Sequence, residues 1–261
     1  MFSAFLTNSL FLEETDSTNS YLARLLASGE RLGNGFIVYS GFQTDGRGQM
    51  NNHWESERGC NLLFSMLLYP DKMDAAKQFP LSEAVALGIT DSLDKFDDGF
   101  KVKWPNDIYW HDKKISGILI ENHLHGAFVH DSIIGVGLNV NQEKFTSDAP
   151  NPVSLFQITK NKQEPMPLLE TIRQNIMRRF GQINTQGALL HEDYLAKLYR
   201  FGEWRQYKDK NGKFTGRIRD VASNGIITVE HESGKTLEYA FKEIGFVIGQ
   251  VQASVKDHAQ L

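Results

Sequence analysis

The stretch K-V-K-W-P-N-D-I-Y-W-H-D-K-K-I-S-G-I-L-I-E, from Lys101 to Glu121, alternates apolar and polar residues around two turn-rich points. Alternation interrupted at Pro105-Asn106-Asp107 and again at His111-Asp112 is typical of three strands joined by two turns. A glycine inside a bulky strand, as at Gly117, marks a bulge or the close approach of a ligand. Charged side chains recur around the same turns: Lys103, Asp107 and Lys114. The stretch therefore predicts an antiparallel meander that binds an anionic ligand.

Composition bounds the class of protein. The 261 residues suit one large domain, or a large domain with a small one, and a hydrophobic content of 41% supports a sizeable core. The formal net charge of −4 argues against a general nucleic-acid binder, whose surface would be basic.

Cysteine usage and the N-terminal residues bear on location. The single cysteine, Cys60, cannot form an internal disulfide, which favours a reducing cytosol, so we expect a cytoplasmic protein. No apolar run approaches the roughly 20 residues of a membrane-spanning helix, so we expect no membrane partner. Met1 to Leu12 carries neither a basic region nor a small-residue cleavage site, which argues against a signal peptide.

Periodicity elsewhere predicts alternating strands and helices. Predicted strands lie at Leu10–Glu14, Gly35–Ser40, Asn61–Tyr69 and Phe128–Val140. Predicted helices lie at Tyr21–Ala27, Ala75–Phe96, Ser154–Ile158, Pro167–Gly181 and Leu189–Tyr199.

Polar residues precede the first predicted helix. Asp16 or Ser17 is simply explained as a helix N-cap. The alternative is that hydroxyls and amide hydrogens at this helix start recognise a polar ligand head. The sequence leaves both interpretations open.

The segment from Gln43 to Trp54 is polar and punctuated by glycine. Gly46-Arg47-Gly48 would let the backbone wrap a ligand while one guanidinium projects into it, although a flexible surface loop is the more frequent explanation. No Gly-Lys-Ser/Thr follows, so it is not a P-loop, and the third glycine of a dinucleotide fingerprint is missing.

One face of the predicted strand Phe128–Val140 lacks side chains. Gly135 and Gly137 alternate with Val136 and Leu138. This pattern makes floor space for a flat ligand, and close packing against a helix explains the glycines equally well.

The sequence pattern changes near Phe201–Trp204. From Arg205 short strands alternate with hairpin turns at Asn211-Gly212, Asn224-Gly225 and Ser233-Gly234, which predicts a small barrel. We therefore predict two domains, residues 1–203 and 204–261.

Five motifs follow one another along the chain: Asp16-Ser17-Thr18-Asn19, Gln43-Thr44-Asp45-Gly46-Arg47-Gly48, Lys103-Trp104-Pro105-Asn106-Asp107, Lys114-Ile115-Ser116-Gly117-Ile118-Leu119 and Gly135-Val136-Gly137-Leu138-Asn139-Val140-Asn141. In this order, and over nearly the whole chain, they resemble the biotin–protein ligases, which attach biotin to carboxylase carrier domains. The resemblance implies an α+β fold like that of lipoate ligases and class II synthetases. It comprises a biotin–lipoate ligase catalytic domain with a mixed, mainly antiparallel sheet flanked by helices, followed by a small SH3-like β-barrel.

The resemblance also implies a chemistry. A biotin–protein ligase activates biotin with ATP to biotinyl-5′-AMP and transfers biotin to a specific lysine of the carrier. ATP and biotin are then the substrates, Mg²⁺ accompanies the nucleotide, and no residue is expected to ligate a metal. A carboxylate that approaches a polyphosphate needs fixed cations. By resemblance the catalytic residues are Lys114, Arg47 and Asp107.

Two overlapping sets of residues are expected, by the same resemblance, to bind the substrates. The biotin set is Ser17, Thr18, Asn19, Gln43, Gly46, Arg47, Gly48, Gln49, Lys114, Gly117 and Gly135. The ATP and adenylate set is Arg47, Gln49, Trp54, Lys103, Asn106, Lys114 and Asn139.

The chain departs from the family pattern in the glycine-punctuated loop. Many members have a second arginine and a further glycine where this chain has Gln49 and Asn51. Gln49 can donate or accept hydrogen bonds but brings no charge, so the departure bears on how tightly the adenylate is retained.

The implied partner is the biotin carboxyl carrier domain of acetyl-CoA carboxylase or a related carboxylase. Some members add an N-terminal helix-turn-helix domain, but here the Ser-Thr-Asn motif begins at Ser17, so we expect a ligase that does not bind DNA. Both a monomer and a homodimer are open.

Two other functions stay open. A lipoate or octanoate ligase or transferase shares the fold, although those acyl chains lack the ureido group that Gln43 and Ser17-Thr18-Asn19 suit. A non-catalytic module that binds a peptide or nucleic acid would use the basic C-terminal residues, for which a solvated face is the simpler explanation. These residues are Lys208, Lys210, Lys213, Arg217 and Arg219.

Overall fold

The computed structural model of the chain describes residues 8–49, 52–146 and 151–248, which form two β-sheets and five α-helices. The strands are β1 (Ser9–Leu12), β2 (Ile37–Ser40), β3 (Leu62–Leu68), β4 (Phe100–Lys103), β5 (Asp107–Trp110), β6 (Lys113–His125), β7 (Phe128–Leu138), β8 (Arg205–Asp209), β9 (Gly212–Val221), β10 (Ile227–His231), β11 (Thr236–Tyr239) and β12 (Gly245–Phe246). The helices are α1 (Thr18–Ala27), α2 (Phe79–Leu93), α3 (Leu155–Thr159), α4 (Pro165–Gln182) and α5 (Gly187–Lys197).

The larger sheet has seven strands in the order β1-β2-β3-β7-β6-β5-β4. β1 and β2 are parallel and every other neighbouring pair is antiparallel, so the predicted mixed, mainly antiparallel sheet is confirmed. The predicted meander forms β4, β5 and β6. β6 runs beyond Glu121 to His125 because it pairs along its length with β7.

Apolar residues on both faces of β3 place helices on both sides of the sheet. Phe64 and Met66 belong to the large apolar cluster that contains α2 and α4. Leu67, which points the other way, packs in a second cluster with Leu22 of α1. The face that carries α1 also carries Ser65 and, as shown below, the candidate site.

The segment predicted as one helix, Ala75–Phe96, is divided in two. A short 3₁₀ turn at Ala75–Lys77 is capped by Asp74, which accepts a hydrogen bond from the Ala76 amide at 2.8 Å. α2 starts at Phe79, with proline in its first turn. Since proline has no amide hydrogen, it suits a helix start and breaks a helix interior, so two elements form instead of one.

The smaller sheet has five antiparallel strands in the order β11-β10-β9-β8-β12, beginning at Arg205. Its three predicted turns are present, and Gly212, Gly225 and Gly234 all have positive φ. The small sheet contacts α2: the Phe79 amide of α2 donates to the carbonyl of Ser223, which lies between β9 and β10, at 3.0 Å. The apolar side chains of both sheets form one continuous cluster. The division into 1–203 and 204–261, and the closure of the small sheet into an SH3-like barrel, stay predictions.

In the described part of the chain no helix is long and apolar enough to cross a membrane.

Candidate active site

Three glycines open the centre of the large sheet on the α1 face. Gly117 of β6 lies opposite Gly137 of β7 in register, and Gly135 lies opposite Leu119. A methyl group on Gly137 would lie 2.3 Å from Cε2 of Trp54, and one on Gly135 would lie 2.4 Å from Oδ1 of Asn19. The sequence left open whether the glycines make room for a ligand or for close packing. In this structure they accommodate the indole of Trp54 and the amide of Asn19.

A network of neutral polar groups forms one end of this floor. Oε1 of Gln43 accepts hydrogen bonds from the amide and the hydroxyl of Thr18, at 2.8 and 3.0 Å. The fully buried Ser65 hydroxyl lies 2.7 Å from Oγ1 of Thr18 and 2.5 Å from Oδ1 of Asn19. These hydrogen bonds fix neutral donors and acceptors of β3, the start of α1 and Gln43 at one end of the floor.

Ser17 occupies the N-cap position of α1, but its side chain makes no capping hydrogen bond. Asp16 instead accepts from the Ser17 amide at 2.8 Å and pairs with Arg24 at 2.7 Å. Hydrogen bonds from Arg24 hold the pKa of the Asp16 carboxyl well below its usual range. The capping explanation therefore does not account for the Ser17 hydroxyl, which lies beside the cavity.

Charged side chains form the other end of the floor. Nζ of Lys114 lies 2.6 Å from Oδ1 of Asp107, and Nζ of Lys103 lies 4.0 Å from Oδ2 of the same carboxylate. Burial lowers the pKa of the Lys103 ammonium, and Asp107 acts against this shift. The Lys103 ammonium lies 4.9 Å from the ring centre of Phe246, a residue of the small sheet. The result is a partly desolvated cationic centre.

The turn between β4 and β5 is fixed on both sides. The Trp104–Pro105 peptide bond is cis, and Nε1 of Trp104 donates to the carbonyl of Gly225 at 3.0 Å. Nδ2 of Asn106 donates to the carbonyl of Ile118 at 2.7 Å. These contacts position Asp107, the next residue, against β6.

The glycine-punctuated loop folds over the floor. The Trp54 amide donates to the Gly46 carbonyl at 2.8 Å, and the Gly48 amide donates to the Asn52 carbonyl at 2.7 Å. The Arg47 guanidinium pairs with Glu121 at 2.6 Å. The prediction made on Asn51 lies outside the described residues.

Four buried polar atoms around the two cavities described below have no hydrogen-bond partner among the described residues: Oε1 of Gln49, Nε1 of Trp54, Oγ of Ser56 and Oδ1 of Asn139. Such atoms are rare in folded proteins and call for an explanation, for which a ligand is one candidate. Gln49, Trp54 and Asn139 are residues that the family resemblance assigned to the adenylate, and Ser56 is not.

The predicted residues converge on two adjoining cavities. The first is lined by Ser17, Thr18, Asn19, Gln43, Arg47, Gly48, Gln49, Trp54, Lys103, Asn106, Asp107, Lys114, Gly117 and Gly135. Gly46 and Asn139 line the second, which shares Gln43, Trp54, Lys103, Asp107 and Lys114 with the first. In the described ranges no group of three or more His, Cys, Asp or Glu side chains is arranged to hold a metal ion.

Sequence reasoning missed three contributors. The sequence pattern predicts only that Ser65 belongs to a buried strand, that Glu121 ends a strand, and that Phe241 ends a short strand of the C-terminal region. Phe241 nevertheless lines the first cavity. Ser65 alone could have been found from the sequence, because alternation along β3 puts its side chain on the face that carries α1.

Comparison with known proteins gives consistent matches. The sequence profile of the Biotin/lipoate A/B protein ligase family matches residues 11–139. The bifunctional ligase/repressor BirA of Bacillus spizizenii is 31% identical over 224 residues, which cover 81% of this chain and 66% of that protein, just under two thirds. The biotin--[acetyl-CoA-carboxylase] ligase of Paracoccus denitrificans is 27% identical, with 86% of this chain and 95% of that protein covered.

A similar solved structure is described as the biotin protein ligase from Aquifex aeolicus in complex with biotin and ATP. It superposes with a TM-score of 0.73 at 26% identity and covers 92% of this chain and 98% of that chain. The α+β fold with a C-terminal β part is therefore that of the solved biotin protein ligases.

Proposed function

Because this chain belongs to the biotin/lipoate A/B protein ligase family, we propose that it is an ATP-dependent biotin–protein ligase. In the first step an oxygen of the biotin carboxylate bonds to the α-phosphorus of MgATP, and pyrophosphate leaves. In the second, the amine of a carrier lysine bonds to the acyl carbon of biotinyl-5′-AMP, AMP leaves, and the amine loses a proton.

One observation carries the proposal: a single cavity has neutral hydrogen-bonding groups at one end and paired lysines at the other. Biotin has the matching polarity, a neutral ureido ring joined by an apolar chain to a carboxylate. Ser17, Thr18, Asn19 and Gln43 would bind the ring. Gly117 and Gly135 would lie under the rings and chain, which requires the Trp54 indole to move off Gly117.

The cationic end supports the chemistry. Lys114 would contact both the biotin carboxylate and the α-phosphate, with Arg47 and Lys103 offsetting the remaining negative charge. Asp107 would orient the carrier lysine or accept its proton. Asp107 forms an ion pair with Lys114 in this structure, so the carboxylate becomes available for this role when Lys114 turns to the phosphate.

The second cavity suits the nucleotide. Trp54 offers an aromatic face and Asn139 an amide whose Oδ1 has no partner in the described part of the chain, and a purine can use both. Asn106 and Gln49 would complete the adenylate set. Gly46 and Gly48 let the loop approach the biotin side.

Mg²⁺ would enter as part of the substrate MgATP. Of the described acidic residues, Asp107 alone lines the first cavity, where it is paired with Lys114. Asp45, Glu55 and Asp107 line the second cavity, but they are not grouped closely enough to hold a metal ion. A dedicated cage of carboxylate oxygens, which Mg²⁺ and Ca²⁺ sites use, would need further donors. The phosphates of the nucleotide would therefore be the main ligands of the ion.

The carrier partner would be a biotin carboxyl carrier domain of acetyl-CoA carboxylase or a related carboxylase, as the name of the Paracoccus relative suggests. The net charge of −4 supports a function without DNA, and the single cysteine supports a cytoplasmic location. The chain would act as a monomer or a homodimer.

The decisive experiment mixes the chain with MgATP, a carrier domain and one acid at a time: biotin, lipoate or octanoate. Of the three acids, we expect only biotin to increase the mass of the carrier, by one biotinyl group. Transfer of lipoate or octanoate but not biotin would favour the alternative ligase of the same fold. No mass gain with any acid would refute the enzyme.

A further inference from the structure

Glu121 joins two parts of the site that are distant in sequence. Its Oε1 lies 2.6 Å from Nη2 of Arg47, and its Oε2 accepts a hydrogen bond from Nδ2 of Asn19 at 2.8 Å. Arg47 also donates to Oγ of Ser20 at 3.2 Å. The guanidinium assigned to the anionic ligand is therefore held by partners within the chain.

The pair can be reached by solvent, and Arg47 also lines the first cavity. The side chains of Arg47 and Glu121 are 43% and 32% exposed. A partly exposed ion pair contributes little net free energy. An incoming anion can therefore displace Glu121 from Arg47 at a small but finite cost in free energy.

The charged groups at the first cavity and its rim nearly cancel before any ligand arrives. Lys103 and Lys114 both pair with Asp107, while Arg47 pairs with Glu121. These five groups leave a single net positive charge, the opposite of the single negative charge on the phosphate of an acyl-adenylate.

We propose that Glu121 is a positioning residue that competes with the acyl-adenylate for Arg47 and so limits how tightly the intermediate is held. This inference rests on the proposed function. The carboxylate charge is what matters, because the hydrogen bond to Asn19 needs only an oxygen acceptor. Removing the charge should therefore strengthen retention while the polar network at the ring end stays intact.

The variant Glu121→Gln separates the two contributions, since its side-chain oxygen still accepts from Asn19. The full chain is loaded with labelled biotin and MgATP, chased with unlabelled biotin, and protein-bound biotinyl-AMP is followed by filtration. We expect release to be slower by about two- to fivefold, the size expected for a partly exposed ion pair. The difference should shrink as salt is raised, because salt screens exposed charges.

Two controls isolate the route through Arg47. Glu14→Gln removes a carboxylate that pairs with Arg58 outside both cavities, and release should match that of the unaltered chain. In an Arg47→Gln background, which is loaded with presynthesised biotinyl-AMP because Arg47 is assigned to catalysis, the further change Glu121→Gln should leave the release rate unchanged.

Equal or faster release from Glu121→Gln at low salt would overturn the inference, as would the same slowing in the Arg47→Gln background. Slower release that is independent of salt and accompanied by a lower Tm would indicate a structural role and overturn it as well. If the unaltered chain forms no biotinyl-AMP, the proposed function fails and the inference with it. An adenylate that forms but leaves both proteins at one rate refutes the inference alone.

Discussion

Replacing Gly135 by alanine should displace Asn19 from the floor of the site. The added methyl would lie 2.4 Å from Oδ1 and 2.9 Å from Cγ of this buried amide. Ordinary contact starts near 3.5 Å, so the amide has to retreat by about 1 Å. Its hydrogen bonds to Glu121, at 2.8 Å, and to Ser65, at 2.5 Å, would then be lost or weakened.

The size of the effect follows from these two hydrogen bonds. A bond to a charged group contributes about 1.5–3 kcal/mol and a neutral one about 0.5–1.5 kcal/mol. Alanine suits a strand better than glycine does, which offsets a small part of the lost free energy of folding. We expect the free energy of unfolding to fall by about 2–3 kcal/mol, which corresponds to a Tm lower by about 5–10 °C in a chain of this size. Biotin affinity should fall more than tenfold, since about 1.4 kcal/mol is a factor of ten.

Thermal unfolding and titration calorimetry with biotin measure both quantities. Gly245→Ala is the matched control, because Gly245 also lies in a strand and a methyl there would meet its nearest atom at 3.7 Å. In an Asn19→Ala background the cost of Gly135→Ala should nearly vanish, since the clashing amide is gone. A Tm unchanged by Gly135→Ala, or an equal loss in both backgrounds, would refute the reasoning.

Three further outcomes follow from the site and the fold. Lys114→Ala should lower biotin-dependent pyrophosphate exchange by about 10²–10³-fold, the usual loss for one preorganised charge-stabilising group, and unimpaired exchange would count against its role. Gln49→Arg should slow the loss of biotinyl-AMP, because it adds a cation beside the adenylate, and equal off-rates in the two proteins would remove that idea. His191 links α5 to Glu83 of α2 at 2.8 Å and to Asp220 of the small sheet at 3.0 Å. Burial lowers the pKa of this imidazole, but the two carboxylates outweigh burial, so its pKa is raised above the ordinary value of 6.5. The charged imidazole therefore stabilises the fold fully below pH 6.5 as long as Glu83, whose pKa is raised by burial, is ionised, and progressively less as pH rises through the raised pKa of His191. Urea unfolding should show His191→Gln to be most destabilised relative to the unaltered chain at pH 5–6, and a gap that widens with pH would contradict this.

Local patterns were enough to predict most elements, whereas the members of the candidate site came from the family resemblance and stay predictions. The meander, the continuous apolar strand β3 and the glycine turns of the small sheet each follow from residues near in sequence. Contacts between distant residues were not predictable in this way. The hydrogen bond between Asn19 and Glu121 joins residues 102 positions apart, and Phe241 reaches the first cavity from the other sheet. Such pairs depend on strand order and helix placement, which alternation within one strand does not specify.

The meander itself contains one feature that alternation would predict wrongly. Lys114 and Gly117 are three residues apart, so in a regular strand their side chains would point to opposite faces. In the structure Asp107 pairs with Gly117 and Ile108 with Ser116, but Tyr109 pairs with Lys114, so Ile115 is an extra residue on β6. Such a bulge reverses the parity of the strand and can re-aim a side chain near a functional site. Lys114 thereby comes to the face of Asp107, 2.6 Å from its carboxylate, while Gly117 keeps its place on the floor. The cation, its counter-ion and the bare glycine share one face because of a single inserted residue, and the unbulged register would leave Lys114 on the side of α2.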